Sequence, residues 1–323
     1  MRLQIVTLTL AAFLFAAPAS ADETRNPAII VTASPGGTYY IYGKGLAVLL
    51  TKYLGSTFTA DATQGTQQNI VLLEQHKATL GLATMGVARE AWYGIGWAKG
   101  TEHRSIRAIF PMYDQPFQFV APKRLKLASL EGFAGKRIAN GPKAGGSGTY
   151  IPRIFNSLGI TATLRNGAFE ELMRQVASGE LDGLAAINGI PMAGLAELDA
   201  QLSLDYLQPS PDQIALVRKD LPESSPSLVP AGTYPSLTTD YHTFGIYSFA
   251  VVNEDLSDDL VYKIVKAVFE HEQELVDAHP AARETIPANV DRDTFLPFHP
   301  GAVRYYREIG VDIPATLAAR GDK

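Results

Sequence analysis

The sequence predicts an α/β protein of two lobes built on mostly parallel sheet. Three observations carry this. Short β-branched or Gly-Leu-Ala runs alternate with segments of helical period along most of the chain. The alternation passes through two similar cycles, each with its own glycine loop. Two apolar strands, "FQFVA" at 117–121 and "GIYSFAVV" at 245–252, stand where the chain would cross between the lobes and return.

The first cycle opens with "AIIVTA" as a strand, then the loop "SPGG". Residues 39–54 place Tyr42, Leu46, Leu49, Leu50 and Tyr53 at helical spacing. "NIVLLEQH" reads as a helix and "TLGLAT" as a strand. "SIRAIFPMY" and "PFQFVAPK" read as two further strands. The second cycle runs from the strand in "LEGFAGKRIANGP" through the loop "KAGGSGT" to the helix "YIPRIFNSLGI", where Pro152 is tolerable only in a first turn. "AFEELMRQVASGE" follows as a helix and "LDGLAAIN" as a strand. Segments 72–84 and 173–187 echo one another as helix, polar turn and Gly-Leu-Ala strand. The proline- and serine-rich stretch 220–235 reads as an irregular surface loop. Residues 258–280 read as one long amphipathic helix, with Asp258 and Asp259 matching the dipole of its first turn. "FHPGAVRYYREIG" reads as a last turn and helix.

At the N-terminus, Arg2, an apolar stretch over 5–17 and Ala19 and Ala21 at an A-x-A site predict a cleaved secretory leader, 1–21. The first lobe is then expected at 22–117 with 246–323, and the second at 118–245. There is no cysteine, so neither a disulfide nor a lipid tether is available. No second stretch approaches the ~20 apolar residues that span a bilayer. A soluble periplasmic protein is expected. The net charge of −5 is dispersed and no basic stripe exists, which argues against nucleic acid.

The glycine loops fit no nucleotide or nucleophile motif. From Gly37 five residues precede Gly43-Lys44, and Gly45 follows where a P-loop needs Ser or Thr. "GPKAGGSGT" lacks the third spaced glycine of a dinucleotide fingerprint. Ser147 is no nucleophile elbow, because Thr149 stands where glycine is required. The six histidines are scattered, and "HEQEL" lacks the second His of a zinc helix. No carboxylate cluster has calcium spacing. No catalytic residue, metal site or cofactor is therefore expected, and a hydrolase using Ser147 is the weakest of the rival readings.

What the loops offer is a polar cradle. N–H groups at a helix start, with the hydroxyls of Thr38, Ser147 and Thr149, hold a carboxylate, a phosphate or a sugar hydroxyl. Both loops fall at carboxyl ends of strands, where open α/β sheets bind ligands. The bland alternative is that the glycines serve only tight turns and packing. The amide-rich loop "DATQGTQQN" adds Gln64, Gly65 and Thr66; Asn69 reads as a cap of the helix that follows. His279 and His299 precede prolines and read as turn positions. Trp92 and Tyr93 either line a pocket or pack.

Taken in order, "SPGGTYYIYGKGLA", "NIVLLEQHKATLGLA", "GKRIANGPKAGGSGT", "GELDGLAAINGIPMAGLAEL", "VPAGTYP", "LVYKIVKAVFE" and "HPGAVRYYREIG" resemble the TAXI-type solute receptors of TRAP transporters, across essentially the whole mature chain. The resemblance implies a type II periplasmic binding protein with two lobes and hinge-crossing strands, not an enzyme, that passes its solute to a fused, ion-driven permease. A ligand sensor built on the same clamp is the alternative. The family's G-G-T-Y loop maps onto Gly36, Gly37, Thr38 and Tyr39, and its G-S-G-T loop onto Gly146, Ser147, Gly148 and Thr149. The usual T-G-G-S is here "QGTQ", and the usual Gln-Ser-Asp is "TMG" around Met85. The missing aspartate removes a partner for an ammonium group, which weakens an amino-acid ligand. Tyr113, Gln115 and Asn188 complete the candidate set. They suit a sugar as well as an organic acid. The expected partners are a small solute and the permease, with the receptor itself a monomer.

Overall fold

The computed structural model describes residues 27–292 and 295–318. The expected leader, 1–21, lies outside the described residues. The chain opens with β1 (Ala28–Val31), α1 (Thr38–Leu54), β2 (Phe58–Asp61), α2 (Thr66–Glu74), β3 (Leu80–Thr84) and α3 (Met85–Tyr93). A 17-residue strand, β4 (Ile106–Pro122), leads into β5 (Arg137–Ala139), α4 (Gly146–Ser157), β6 (Thr163–Arg165), α5 (Phe169–Ser178), β7 (Gly183–Ile187) and α6 (Ala193–Leu202). Then come β8 (Leu204–Tyr206), α7 (Pro211–Asp220), β9 (Ser225–Val229) and β10 (Tyr241–Asn253), and the helices α8 (Asp258–Glu270), α9 (Glu272–Ala278) and α10 (Pro300–Glu308).

The strand order β2-β1-β3-β10-β4-β7-β5-β6 has a mirrored plan. β1 pairs in parallel with β2 and β3, and β5 pairs in parallel with β6 and β7. The long antiparallel strands β4 and β10 lie between these two units. The echo read in the sequence is this repeat: α2–β3 in one unit answers α5–β7 in the other.

Each unit has its own core. One cluster gathers Ile30, Leu46, Leu50, Leu82, Phe110 and Val265. In the other unit, side-chain alternation sends Phe117, Phe119, Ala185 and Ile187 to one face, with Ile151 and Ile154. Val120, Leu184 and Ala186 go to the opposite face, with Leu172 and Leu195. Helices therefore cover both faces of that sheet, and β7 is buried along its length.

Four expectations are corrected. The two strands read at 105–113 and 116–123 are one strand, β4. Pro111 sits beside a register shift opposite Phe249, and Pro116 faces Gly245, so neither proline ends the pairing. The loop 220–235 contains β9, which lies antiparallel on β10 with Pro226 opposite Phe244. The helix of the second glycine loop starts at Gly146, which puts Pro152 in its second turn. Pro152 is exposed, so the carbonyl deprived of its helical donor lies on the solvent side. The long helix at 258–280 breaks at His271 (φ −128°, ψ 31°). The break lets the His271 ring stack on Tyr53 at 3.5 Å and brings Glu274 to Lys52 at 2.9 Å.

Phe119 is fully buried between Phe155 and Phe244. Phe119→Ala should lower stability by about 3–5 kcal/mol in urea unfolding, whereas Val48→Ser, at a 69% exposed position, should change it by no more than about 0.5. Equal effects at the two positions would contradict this core.

Candidate functional site

The strand–helix turns of both units open onto one cleft. Its pocket has a cavity volume of about 30 Å³, room for little more than water between the lobes as they stand here. The first unit contributes Ala33, Gly37 and Tyr39, then Gln64, Gly65 and Thr66, then Thr84 and Gln115. The second contributes Pro142, Gly145, Gly146 and Ser147, then Phe169, Ile187 and Asn188. None of these residues is Asp, Glu, Lys, Arg or His.

The floor is a neutral hydrogen-bonded chain. The Tyr39 hydroxyl meets Thr84 Oγ1 at 3.2 Å, and Thr84 Oγ1 meets Gln115 Oε1 at 2.9 Å. The Thr84 N–H donates to Thr66 Oγ1 at 3.0 Å. Burial pushes the Tyr39 phenol far above its ordinary pKa, so it stays a hydroxyl.

Around the floor stand helix N-termini. α1, α2 and α4 begin after Gly37, Gly65 and Gly145, none with a side-chain cap and none with an acidic residue in the first turn. Away from the pocket, α8 carries Asp258 and Asp259 in its first turn, as its dipole favours. The pocket-facing ends lack that compensation.

The two lobes are laced together by these same ends. Thr38 N–H donates to Asn188 Oδ1 at 3.2 Å, and Thr38 Oγ1 to the Gly189 carbonyl at 2.6 Å. Gln67 N–H donates to the Ala144 carbonyl at 3.1 Å, and Gln67 Nε2 to Thr149 Oγ1 at 3.1 Å. In the other direction, Phe169 N–H donates to Ser34 Oγ, Glu170 N–H to the Pro35 carbonyl and Gly194 N–H to the Gly36 carbonyl, each at 3.3 Å. The "SPG" loop thus caps α5 and α6 from the opposite lobe. At one margin, Arg153 pairs with the buried Glu90. At another, His279 Nε2 donates to the Pro191 carbonyl at 3.1 Å, while its Nδ1 accepts from Ala281 N–H. Burial lowers the His279 pKa and favours this neutral ring.

Among the sequence candidates, Gly37, Tyr39, Gln64, Gly65, Thr66, Gln115, Gly146, Ser147 and Asn188 line the pocket. Gly36 and Thr38 sit behind it, in the interlobe contacts just described. Ser147 Oγ accepts from Ile187 N–H at 3.1 Å. Thr149 Oγ1 donates to the Gly145 carbonyl at 2.9 Å. A Cβ at Gly148 would lie 2.4 Å from the Lys143 carbonyl oxygen, so the loop folds tightly there. Tyr113 is buried under α1 against Tyr42, with no partner for its hydroxyl among the described residues. Met85 lines a separate, charged cavity with Arg89, Glu223 and Arg292.

Thr84, Phe169 and Ile187 were not among the sequence candidates. Thr84 carried a usable signal, a polar residue closing a fully buried strand. Phe169 carried none, since its spacing is that of helix core. Asn69 is no cap: its side chain brackets the Thr32 and Leu82 carbonyls at 2.7 and 2.8 Å. Trp92 packs in the core, under the Arg104 guanidinium at 4.6 Å. His279 and His299 sit at helix N-caps, each accepting from the N–H two residues on.

The chain has the two-lobed periplasmic-binding-protein fold. MatC from Rhodopseudomonas palustris, solved with malate bound, superposes with a TM-score of 0.57 at 12% identity, over 83% of this chain and 92% of that one. The periplasmic binding protein BugD gives 0.56 at 13% identity, over 90% and 99%. R. palustris Rpa4515, solved with adipate, gives 0.53 at 15%, over 76% and 83%. The chain belongs to the NMT1-like family, whose model matches residues 30–310.

Gly65 has φ +104° and ψ −159°, a region left to glycine, and a Cβ there would lie 2.8 Å from the Gly145 Cα across the cleft. Gly65→Ala should disfavour closure by roughly 1–3 kcal/mol. Small-angle scattering should then give a larger radius of gyration than for the parent chain. Identical profiles would contradict the close approach of these two loops.

Proposed function

We propose that this chain is a TAXI-type receptor of the periplasm, which captures a small polar solute, an organic acid or a sugar, and delivers it to a TRAP-type permease. The observation that carries this is the convergence of glycine loops from both lobes on one small, uncharged pocket. Solute held there touches both lobes, so it binds the closed form better than the open one. We place the hinge in β4 and β10, dividing 22–117 with 246–323 from 118–245. The permease reads closure on the outer faces of a monomeric receptor. The leader at 1–21 sends it there.

Holding rather than transforming suits the chemistry of the pocket. Ser147 Oγ is engaged by a backbone N–H, not by a histidine. Among the described residues no cluster of His, Cys, Asp and Glu has the geometry of a metal site. The residues proposed to touch solute are those lining the pocket, above all Tyr39, Gln64, Thr66, Gln115, Ser147 and Asn188. MatC and Rpa4515, which share the fold, hold malate and adipate, and so support the acid among the two solute classes.

Mature protein, stripped by unfolding and refolding, should respond in a thermal-shift panel of hydroxy and keto acids, amino acids and monosaccharides. A solute at about 100 times its Kd adds about 2.7 kcal/mol, a rise of several degrees. A panel without any response would contradict the receptor reading.

A further inference from the structure

We infer that the solute is a small anion with no positive group, and that Asn188 anchors it. This deepens the receptor reading and rests on it. Asn188 closes β7 at the pocket and is 6% exposed. A backbone N–H can only donate, so the Thr38 N–H fixes Oδ1 toward α1. Asn188 Nδ2 is left buried with no partner among the described residues. A buried amide donor without an acceptor is costly, and a solute oxygen in the pocket removes that cost.

The surrounding field sets the charge of that solute. The N-termini of α1, α2 and α4 border the pocket with no acidic residue in their first turns, and each turns the positive end of its dipole inward. No acidic side chain lines the pocket to receive an ammonium group, and no basic one neutralises a carboxylate by ion pairing. A carboxylate is therefore stabilised by dipoles and neutral donors, the Asn188 amide among them, without an ion pair. An amino acid of the same skeleton would bury its ammonium opposite those positive ends without a counter-charge. A sugar would use Asn188 but leave the field unanswered.

Matched pairs test this on stripped protein by isothermal titration calorimetry: succinate against aspartate, 2-oxoglutarate against glutamate, lactate against alanine, with glucose and galactose alongside. In the pair that binds, the acid without the amine should be at least about tenfold tighter. Asn188→Asp keeps an acceptor for Thr38 N–H but sets a negative charge against the anion. It should weaken the acid by at least about tenfold and narrow or reverse the preference over the amino acid. Asn188→Ala should weaken the acid by about tenfold without changing its preference. An amino acid bound as tightly as its acid, or sugars bound in place of acids, overturns the inference and leaves the receptor reading standing. Binding of none of these probes overturns both.

Discussion

Five backbone N–H groups at the starts of α1, α2, α5 and α6 find their acceptors in the opposite lobe. A helix start has donors that its own turns cannot satisfy. Here they are satisfied by the other lobe, so the contact between the lobes is also what caps these helices. Opened, the same donors turn to water, and each bond is worth only about 0.5–1.5 kcal/mol net. The sum is of the order of a few kcal/mol, the scale of an equilibrium that a small solute can tip. Glycine is required where the lacing is tightest: a Cβ at Gly36 would meet Glu170 N at 2.9 Å.

This lacing also separates the roles of the loop residues. The outer part of "SPGGTY" faces the other lobe through Ser34, Pro35 and Gly36, while Gly37 and Tyr39 face the pocket. Interlobe contacts and pocket lining are built side by side on one loop. The pocket between the lobes is small and uncharged, without ionisable side chains apart from the buried Tyr39 phenol. Backbone dipoles at the starts of α1, α2 and α4 supply the field there, and exclusion of water strengthens it.

Much of this architecture was legible in the sequence. Each glycine loop follows an apolar run and precedes a helical period, and that order placed the loops at the carboxyl ends of strands. Elements with weak burial patterns were missed. β6 has Thr163 and Arg165 exposed and lies at a sheet edge, so it lacks the alternation of a half-buried strand. β4 was split at Asp114 and Gln115, polar residues between two apolar runs, whereas both continue the pairing opposite Tyr247 and Ile246. The interlobe contacts had no sequence signal, because Ser34 and Phe169 are 135 residues apart and meet only in the fold. Asn188 was legible as a polar residue closing an apolar strand. The orientation of its amide was not, since the Thr38 N–H fixes it.

The clamp account is tested most directly by a distance across the cleft. The chain has no cysteine, so cysteines introduced at Val48 on α1 and Leu216 on α7, both exposed, take spin labels at those sites alone. Pulsed dipolar spectroscopy on stripped protein should show a broad or double distribution, which collapses to one distance when the organic acid that binds is added. A single narrow distance, unchanged by every acid, amino acid and sugar supplied, would contradict a clamp that closes on its solute.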